Sequence, residues 1–517
     1  MKTEKFLLGI DIGTSVIKCV VFNETCEEIA VVNCIPEILH KQENFSEISM
    51  DSFWLQVYAL IKKAIVEIGR KSENISGIGI SGTACGCWLI DEKGSPVRDA
   101  ILWNDGRAAD IIGHWQSEDV MDEIFRYSGN SIFPGYPVAL MKWLSEYEPD
   151  SLKKARWSVF CKDWIRYKLT GRVVVDHSDM GYFPYNIKKR TISDHIFKIC
   201  GIEDCRRLVP EIVEPDSEVG LLLPKIAEGL GLPKPIPVVA GLVDVAAATL
   251  GGGAYKSGHV CSIIGTSFLN NILSVNPSFS PFGIGVQTST VKSIFVRSMV
   301  NTSGTINLQW FLDNFCAHEI LEANQKNGSI YDWAERLVMS VPIGSEGIIY
   351  HPYINTTGVV SPFVNPTARA QFFGISSQNT RAHLLRSIYE GTALSMLDSF
   401  MHMPAEINEV YLSGGGSRSA FWCQMFADCT GKKMILTKGH ELGARGVAIL
   451  AGIACDLYPD LDTAMDVVIE IDQTFTPNPG NTEKYKEIYS LYKSLYEHVA
   501  PDWWDRHNLI KHLKSGK

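Results

Sequence analysis

The sequence predicts a two-domain α/β protein, and three observations carry that expectation. A Gly-Thr-Ser turn follows a short apolar run at Asp11-Ile12-Gly13-Thr14-Ser15, and another does so at Ile263-Ile264-Gly265-Thr266-Ser267. At 517 residues the chain exceeds what one ordinary core encloses. The order strand, strand, strand, helix, strand opens the chain and restarts at His259. A glycine followed by small hydroxyl residues at a hairpin tip lets successive backbone N–H groups converge on phosphate oxygens. Asp11 stands where the second copy has Ile263, so only the first turn can also hold Mg²⁺ or its waters. Two clamps and one metal-facing acid imply a nucleoside triphosphate gripped between two domains.

Taken in order, Phe6–Ile10, Val16–Phe22 and Glu28–Cys34 read as an antiparallel meander turning at Gly13 and around Asn23-Glu24. A helix opened by Asp51 follows, with Trp54, Val57, Leu60, Ile61, Ala64, Ile65 and Ile68 at helical spacing. Strands at Ile75–Ile80 and Trp88–Ile90 complete a unit of the actin-like or hexokinase-like order. The aromatic-rich stretch from about Trp103 to Val219 is expected to line the substrate side. The apolar window Ile236–Tyr255 contains Pro237, Asp244 and Gly251-Gly252-Gly253, which makes it a buried strand running into a helix and no membrane span. Gly251–Ser257 is the expected hinge. The pattern then restarts with Val260–Ile264, Phe268–Leu273, Ile294–Val300 and a helix from Thr305. From about Thr474 the tail is charged and helical, with no chemistry assigned. The expected domains are 1–253, 254–455 and a helical extension 456–517.

Composition narrows the function classes. With 45% hydrophobic and 21% charged residues and a net charge of −10, the chain has the balance of a soluble protein without a nucleic-acid surface. Met1 to Lys5 lead straight into a strand, so a cytoplasmic protein without a leader or membrane anchor is expected. The 13 cysteines, scattered through apolar segments, fit a reduced compartment where Cys packs as a small hydrophobe. Cys85 and Cys87 lack a second half-site for zinc.

Asp244, alone in the apolar run Val238–Ala248, is the leading catalytic candidate: an acid there needs a task or a partner. It reads both as a helix cap and as the base that takes a proton from a substrate hydroxyl. Gly414-Gly415-Gly416, between a strand and a helix, offers a flat backbone surface for a nucleotide. Glu441-Leu442-Gly443-Ala444-Arg445-Gly446-Val447-Ala448 reads as a small-residue helix packed close to that loop. Asp105 and Arg107 read as a loop ion pair, solvated and worth little. Asp179 reads as a turn acid, and His177, His351 and His440 as surface or satisfied histidines.

Further motifs resemble the FGGY family of carbohydrate kinases over nearly the whole chain to about residue 455. Ala370-x-Phe372-x-Gly374-Ile375 and, farther on, His383-Leu384-x-x-Ser387-Ile388-Tyr389-Glu390 fit that family's C-terminal signature. Trp103–Arg107, Cys161–Gly171 and Asp176–Asp179 are similar to other family segments. The resemblance implies two ribonuclease H-like, actin/hexokinase-type domains with a cleft between them, closing over ATP, Mg²⁺ and a sugar. It implies a first phosphate motif at Asp11, Gly13, Thr14, Ser15 and Lys18, with Asp11 facing the metal. The second motif falls on Gly265, Thr266 and Ser267, and the adenosine loop on Gly414, Gly415 and Gly416. Asp244 becomes the base, and Thr83, Ala84, Cys85, Trp103, Asp105 and Tyr136 lie near the sugar.

Departures matter as much. Where D-xylulokinases usually read Gly-Gln-Met-His-Gly, this chain has Gly82-Thr83-Ala84-Cys85-Gly86, and Val245 follows the base where Asn is common. Leu140 stands where the family's N-terminal signature carries a Lys. The Asp-Val pair is similar to L-xylulose-type and erythritol-type kinases. The expectation is a kinase for a short ketose, L- or D-xylulose first. Alternatives are a polyol kinase of the erythritol, xylitol or glycerol type, and a sugar sensor of the same fold without catalysis. An actin-like or chaperone-like ATPase is the rival from another class. A small sugar or polyol is the expected partner, nucleic acid and membrane are not, and a homodimer is the one assembly considered.

Overall fold

The computed structural model describes residues 4–326, 328–403 and 405–515, so residues 1–3 of the expected lead into the first strand lie outside it. In chain order the elements used below begin with strands β1 (Phe6–Ile12), β2 (Ile17–Phe22) and β3 (Glu28–Cys34). Helix α1 (Met50–Glu67), strand β4 (Ile75–Gly82) and helix α2 (Cys161–Thr170) follow. Next are β5 (Glu218–Leu221), β6 (Pro237–Val239), β7 (Leu242–Val243) and α3 (Asp244–Gly251). The second half brings β8 (His259–Ile264), β9 (Phe268–Ser274), β10 (Phe295–Asn301) and α4 (Ile306–Phe315). It continues with α5 (Arg381–Met401), β11 (Glu409–Ser413), α6 (Ala420–Thr430) and β12 (Met434–Thr437). Last come α7 (Leu442–Ala454), β13 (Ile471–Phe475) and α8 (Pro479–Ser515).

The chain forms two compact units, and neither is one continuous stretch. The first takes Met1–Ser257, Leu273–Arg297 and Lys438–Glu470; the second takes Gly258–Ile272, Ser298–Thr437 and Ile471–Lys517. The sequence reading drew contiguous blocks, whereas packing gathers residues by the apolar face they cover.

In the first unit the sheet runs β5-β6-β4-β1-β2-β3, with β7 also pairing β4. β1 is antiparallel to β2 and parallel to β4, and this register sets Asp11 opposite both Lys18 and Ser81. Helix α1 buries Val57, Leu60, Ile61, Ala64 and Ile65 as the periodicity predicts, with Phe53 buried where Trp54 is expected, Trp54 and the C-cap Ile68 only half-buried, and Ser49 as the cap in place of Asp51. The expected strand-to-helix run from Ile236 is β6, β7 and α3. Helix α7 belongs to this unit and packs on α3, β1 and β4, where the reading set it beside the glycine loop at Gly414–Gly416. Close backbone approach explains the placement. A Cβ on Gly9 would collide with the Ala444 carbonyl, one on Gly79 with Val447, and one on Gly446 with Ala247.

The second unit repeats the plan. Its sheet carries the order β10-β9-β8-β11-β12-β13, with β8 antiparallel to β9 and parallel to β11. Its core joins Val260, Ile264 and Phe268 to Leu385, Ile388 and Phe426, and to Tyr485, Tyr492, Tyr496 and Trp503 from α8. The tail is therefore a core element of this unit. Among the described residues no helix is long and apolar enough to cross a membrane.

Candidate active site

In the first unit the β1–β2 turn is tight: Gly13 N–H donates to the Val16 carbonyl at 3.1 Å. A Cβ on Gly13 would lie 2.8 Å from that oxygen, so a side chain does not fit. Asp11, half-buried at the end of β1, accepts a hydrogen bond from Ser81 Oγ on Oδ1 at 2.5 Å. Among the described residues its Oδ2 accepts none. Gly443 in the first turn of α7 leaves this carboxylate room, since a Cβ there would stand 2.5 Å from Oδ2. Lys18, opposite Asp11, pairs with Glu441 at 2.6 Å. Burial raises the Asp11 pKa, Ser81 and Lys18 pull it down, and Glu441 adds to the rise.

Asp244 opens α3 at the end of β7, and its Oδ1 accepts from Val245 N–H at 2.7 Å. Its carboxyl is recessed yet reachable, being half-buried by surface. Burial first and the charge of Asp11 second push its pKa up to about 7, against the Val245 N–H. Asp11 adds to the cost of ionising Asp244, and with the Asp11 oxygen that takes no hydrogen bond the two carboxyls make a hard-oxygen recess suited to a divalent cation.

The loop after β4 closes this recess. Thr83 N–H donates to the Ile12 carbonyl at 3.1 Å, and Thr83 Oγ1 lies 3.4 Å from Cys161 Sγ. Ala84 is half-buried. Cys85 has φ +64° and Gly86 φ +77°, a left-handed pair that turns the buried Cys85 side chain back into the unit. Burial, then Asp179 and Asp244, hold its thiol far above the ordinary range, so it stays protonated.

A chain of aromatic rings borders the loop. Trp103, 41% exposed, sends its indole N–H toward Thr14 Oγ1 at 3.4 Å and meets Phe133 edge-on. Phe133 meets buried Tyr136 edge-on at 5.4 Å, and Tyr136 lies 6.0 Å from Tyr182. Burial, then Cys85, raises the Tyr136 phenol well above its usual value.

Asp105 corrects an expectation. It is buried, and both carboxylate oxygens are engaged: by Arg107 Nε and Nη2 at 2.8 and 2.9 Å and by Ser46 N–H at 2.6 Å. Arg107 also reaches Glu47 and lies over the Phe45 ring at 3.9 Å. The pair is a buried brace of the loop that carries Trp103, not a solvated loop contact.

Asp179 is corrected too. It is buried beside Lys162, whose ammonium reaches Asp163 at 3.0 Å, Asp179 at 2.5 Å and Asp176. Burial drives its carboxyl well above the usual range while Lys162 pulls the other way. Asp163, Asp176 and Asp179 have carboxylate oxygens close enough for a metal, but Lys162 occupies that centre. Of the three histidines, His351 is the buried one, tied to the Tyr492 carbonyl at 2.9 Å.

The second unit assembles its own set. The Gly265-Thr266-Ser267 turn between β8 and β9 is held by Gly304 N–H on the Thr266 carbonyl and by Thr305 N–H on the Gly265 carbonyl, at 2.7 and 2.8 Å. Thr266 and Ser267 remain exposed. Gly414, at φ +87°, passes so close to Ile264 that a Cβ would stand 2.6 Å from its carbonyl oxygen. Gly416 is buried against the same residue, while Gly415 is exposed. The second turn and the triple-glycine loop thus meet at the end of β8. Sequence reasoning missed Ser81, Tyr182 and the Lys162 network. Only the family-like segments Cys161–Gly171 and Asp176–Asp179 pointed toward the last.

Comparison with known proteins supplies the context. Residues 6–251 match the model of the FGGY family of carbohydrate kinases, N-terminal domain, and residues 260–455 match its C-terminal domain. The chain is 28% identical over 502 residues to a xylulose kinase of Bacillus subtilis (strain 168), covering 96% of this chain and 97% of that protein. It is 27% identical over 503 residues to a probable L-xylulose kinase of Haemophilus influenzae, covering 95% and 98%. A crystal structure of gluconate kinase from Lactobacillus acidophilus shares the fold, with TM-score 0.87 at 20% identity over 97% of this chain and 99% of that one.

Proposed function

Since the chain belongs to the FGGY family of carbohydrate kinases, we propose that it moves the γ-phosphoryl group of ATP to a hydroxyl of a short ketose of the xylulose type. As a member it is a phosphotransferase with an alcohol group as acceptor. The observation that carries the finer reading is the shared recess of Asp11 and Asp244, where burial first and the Asp11 charge second push the Asp244 carboxyl up to about 7. A carboxylate poised near neutrality takes a proton from a hydroxyl as it attacks phosphorus, and is the base in this reading. Asp11 Oδ2 would hold Mg²⁺ or its waters, and Mg²⁺ when bound offsets phosphate charge. Gly13, Thr14 and Ser15 in one unit, and Gly265, Thr266 and Ser267 in the other, present N–H and hydroxyl donors for phosphate oxygens. Gly414 to Gly416 would lie along the adenosine. Lys18 is spoken for by Glu441, so its part is to fix α7 above Asp11.

Thr83, Ala84, Cys85, Trp103 and Tyr136 form the sugar wall of this reading, and Asp105 braces the loop that carries Trp103 through Arg107 and the Ser46 N–H. Cys85 and Val245 replace polar sugar contacts with a protonated thiol and an isopropyl group, which sets selectivity while leaving the phosphoryl chemistry alone. The relatives named xylulose and L-xylulose kinase support the ketose over the polyol. Coupled ADP release with Mg·ATP against D- and L-xylulose, D- and L-ribulose, 3-keto-L-gulonate, erythritol, xylitol, glycerol and gluconate is the test. A xylulose enantiomer should give the highest kcat/KM; preference for a polyol, or no stimulation by any of them, would reject the reading.

A further inference from the structure

The backbone leading into Asp244 is held by a network lying wholly in the first unit. Gly241, at φ +86°, lies against the Ile80 carbonyl in the turn that offsets the chain between β6 and β7, two strands that both run parallel to β4. Arg166 donates to the Ala240 carbonyl on one side of this turn. On the other side, Val243 N–H donates to Ser178 Oγ at 2.9 Å. Val243 is the N-cap of α3, and its backbone N–H is one of the donors that the helix itself leaves unpaired, so it needs a partner from elsewhere. Ser178 supplies it because its own proton is committed: the hydroxyl donates to Asp176 Oδ1 at 2.5 Å, which leaves a lone pair for Val243. Asp176 is in turn anchored by Lys162, and both side chains are fully buried. Lys162 and Arg166 also share Asp163 Oδ1, at 3.0 and 2.7 Å. One buried ion network therefore grips both ends of the four-residue approach to the candidate base.

We infer that Ser178, aimed by Asp176 and Lys162, is a positioning residue that fixes the Asp244 carboxylate through the Val243 N–H. The inference rests on Asp244 being the base. Removing the hydroxyl frees the Leu242–Val243 peptide, directly ahead of Asp244, to rotate and displaces the carboxylate, while the clamps and sugar wall stay as they are. A carboxylate misplaced by a fraction of its working distance loses rate more than affinity.

The test is a double-mutant cycle of Ser178→Ala with Asp244→Asn, reading kcat, both KM values and the melting temperature. Ser178→Ala alone should lower kcat by about 10–100-fold with both KM values within about twofold. Added to Asp244→Asn, it should change the residual kcat by less than about twofold, since the group it aims is already gone. An unchanged kcat in the single variant overturns the inference, and so does an equal loss in both backgrounds, which marks general destabilisation. Should Ser178→Ala fail to fold, near-isosteric Ser178→Cys carries the same readout. Wild-type turnover in Asp244→Asn alone would remove the base assignment and this inference with it, whereas loss in Asp244→Asn with none in Ser178→Ala removes the inference only.

Discussion

Asp244 combines two demands that pull in opposite directions. Its ionised form is the one that accepts a proton, and burial beside Asp11 opposes that form, with the carboxyl at about 7. Below that pH the base is occupied, so kcat/KM should fall about tenfold per pH unit on the acid side of 7; a flat profile down to pH 5 would contradict this. Asp244→Asn should lower kcat by about 10²–10⁴-fold and leave nucleotide affinity nearly intact, checked by single-turnover kinetics and calorimetry. Stability carries the opposite sign. The folded pKa lies above the ordinary 3.8, so this group's contribution is greatest below the unfolded value and is lost as pH rises through about 7. Asp244→Asn should therefore melt higher than the parent at pH 8, with the difference shrinking as pH falls toward 4. The candidacy of Asp244 was legible because a lone acid in an apolar run is conspicuous. Asp179 and Asp105 were not legible, since their partners Lys162 and Ser46 meet them only in space, and an acid among polar neighbours looks the same whether solvated or buried.

Elements were legible wherever their own residues decide them. β3 matches its expected bounds, and α1 buries the middle of the stripe its spacing announces, from Val57 to Ile65. Helix α7 was recognised as a small-residue helix but set beside the wrong neighbour, because the glycines that receive it sit far back in the chain on β1 and β4. Periodicity names a face and leaves its partner open. The glycines of this contact separate into two kinds. Gly79→Ala drives a methyl into Val447 and should destabilise by about 1–3 kcal/mol, read by denaturant unfolding. Gly443→Ala instead presses on the Asp11 carboxylate at 2.5 Å. It should raise the KM for Mg·ATP more than it lowers the melting temperature, and the reverse order of effects would detach Gly443 from the site.

Over the whole molecule, the duplicated turn forecast the repeated plan of strands, whereas the grouping of segments into units follows packing that no local pattern carries. The tail illustrates the gap. Its aromatics are spaced along a charged helix and read as an appendage, yet Tyr485 reaches Glu390 at 3.2 Å, inside the segment that resembles the family signature. Truncation before residue 479 should strip Tyr485, Tyr492, Tyr496 and Trp503 from the second core, leaving a chain that aggregates or melts well below the intact protein. The placement of Ala444 and Val447 over Gly9 and Gly79 also imposes an order on biosynthesis. A ribosome delivers the first sheet early, but the helix that covers its glycine face emerges only after residues 258–437, most of the second unit among them, have been made. The nascent first unit must wait with that face bare, so a 1–257 fragment should be cut readily by protease and gain protection when residues 438–470 are supplied as a separate peptide.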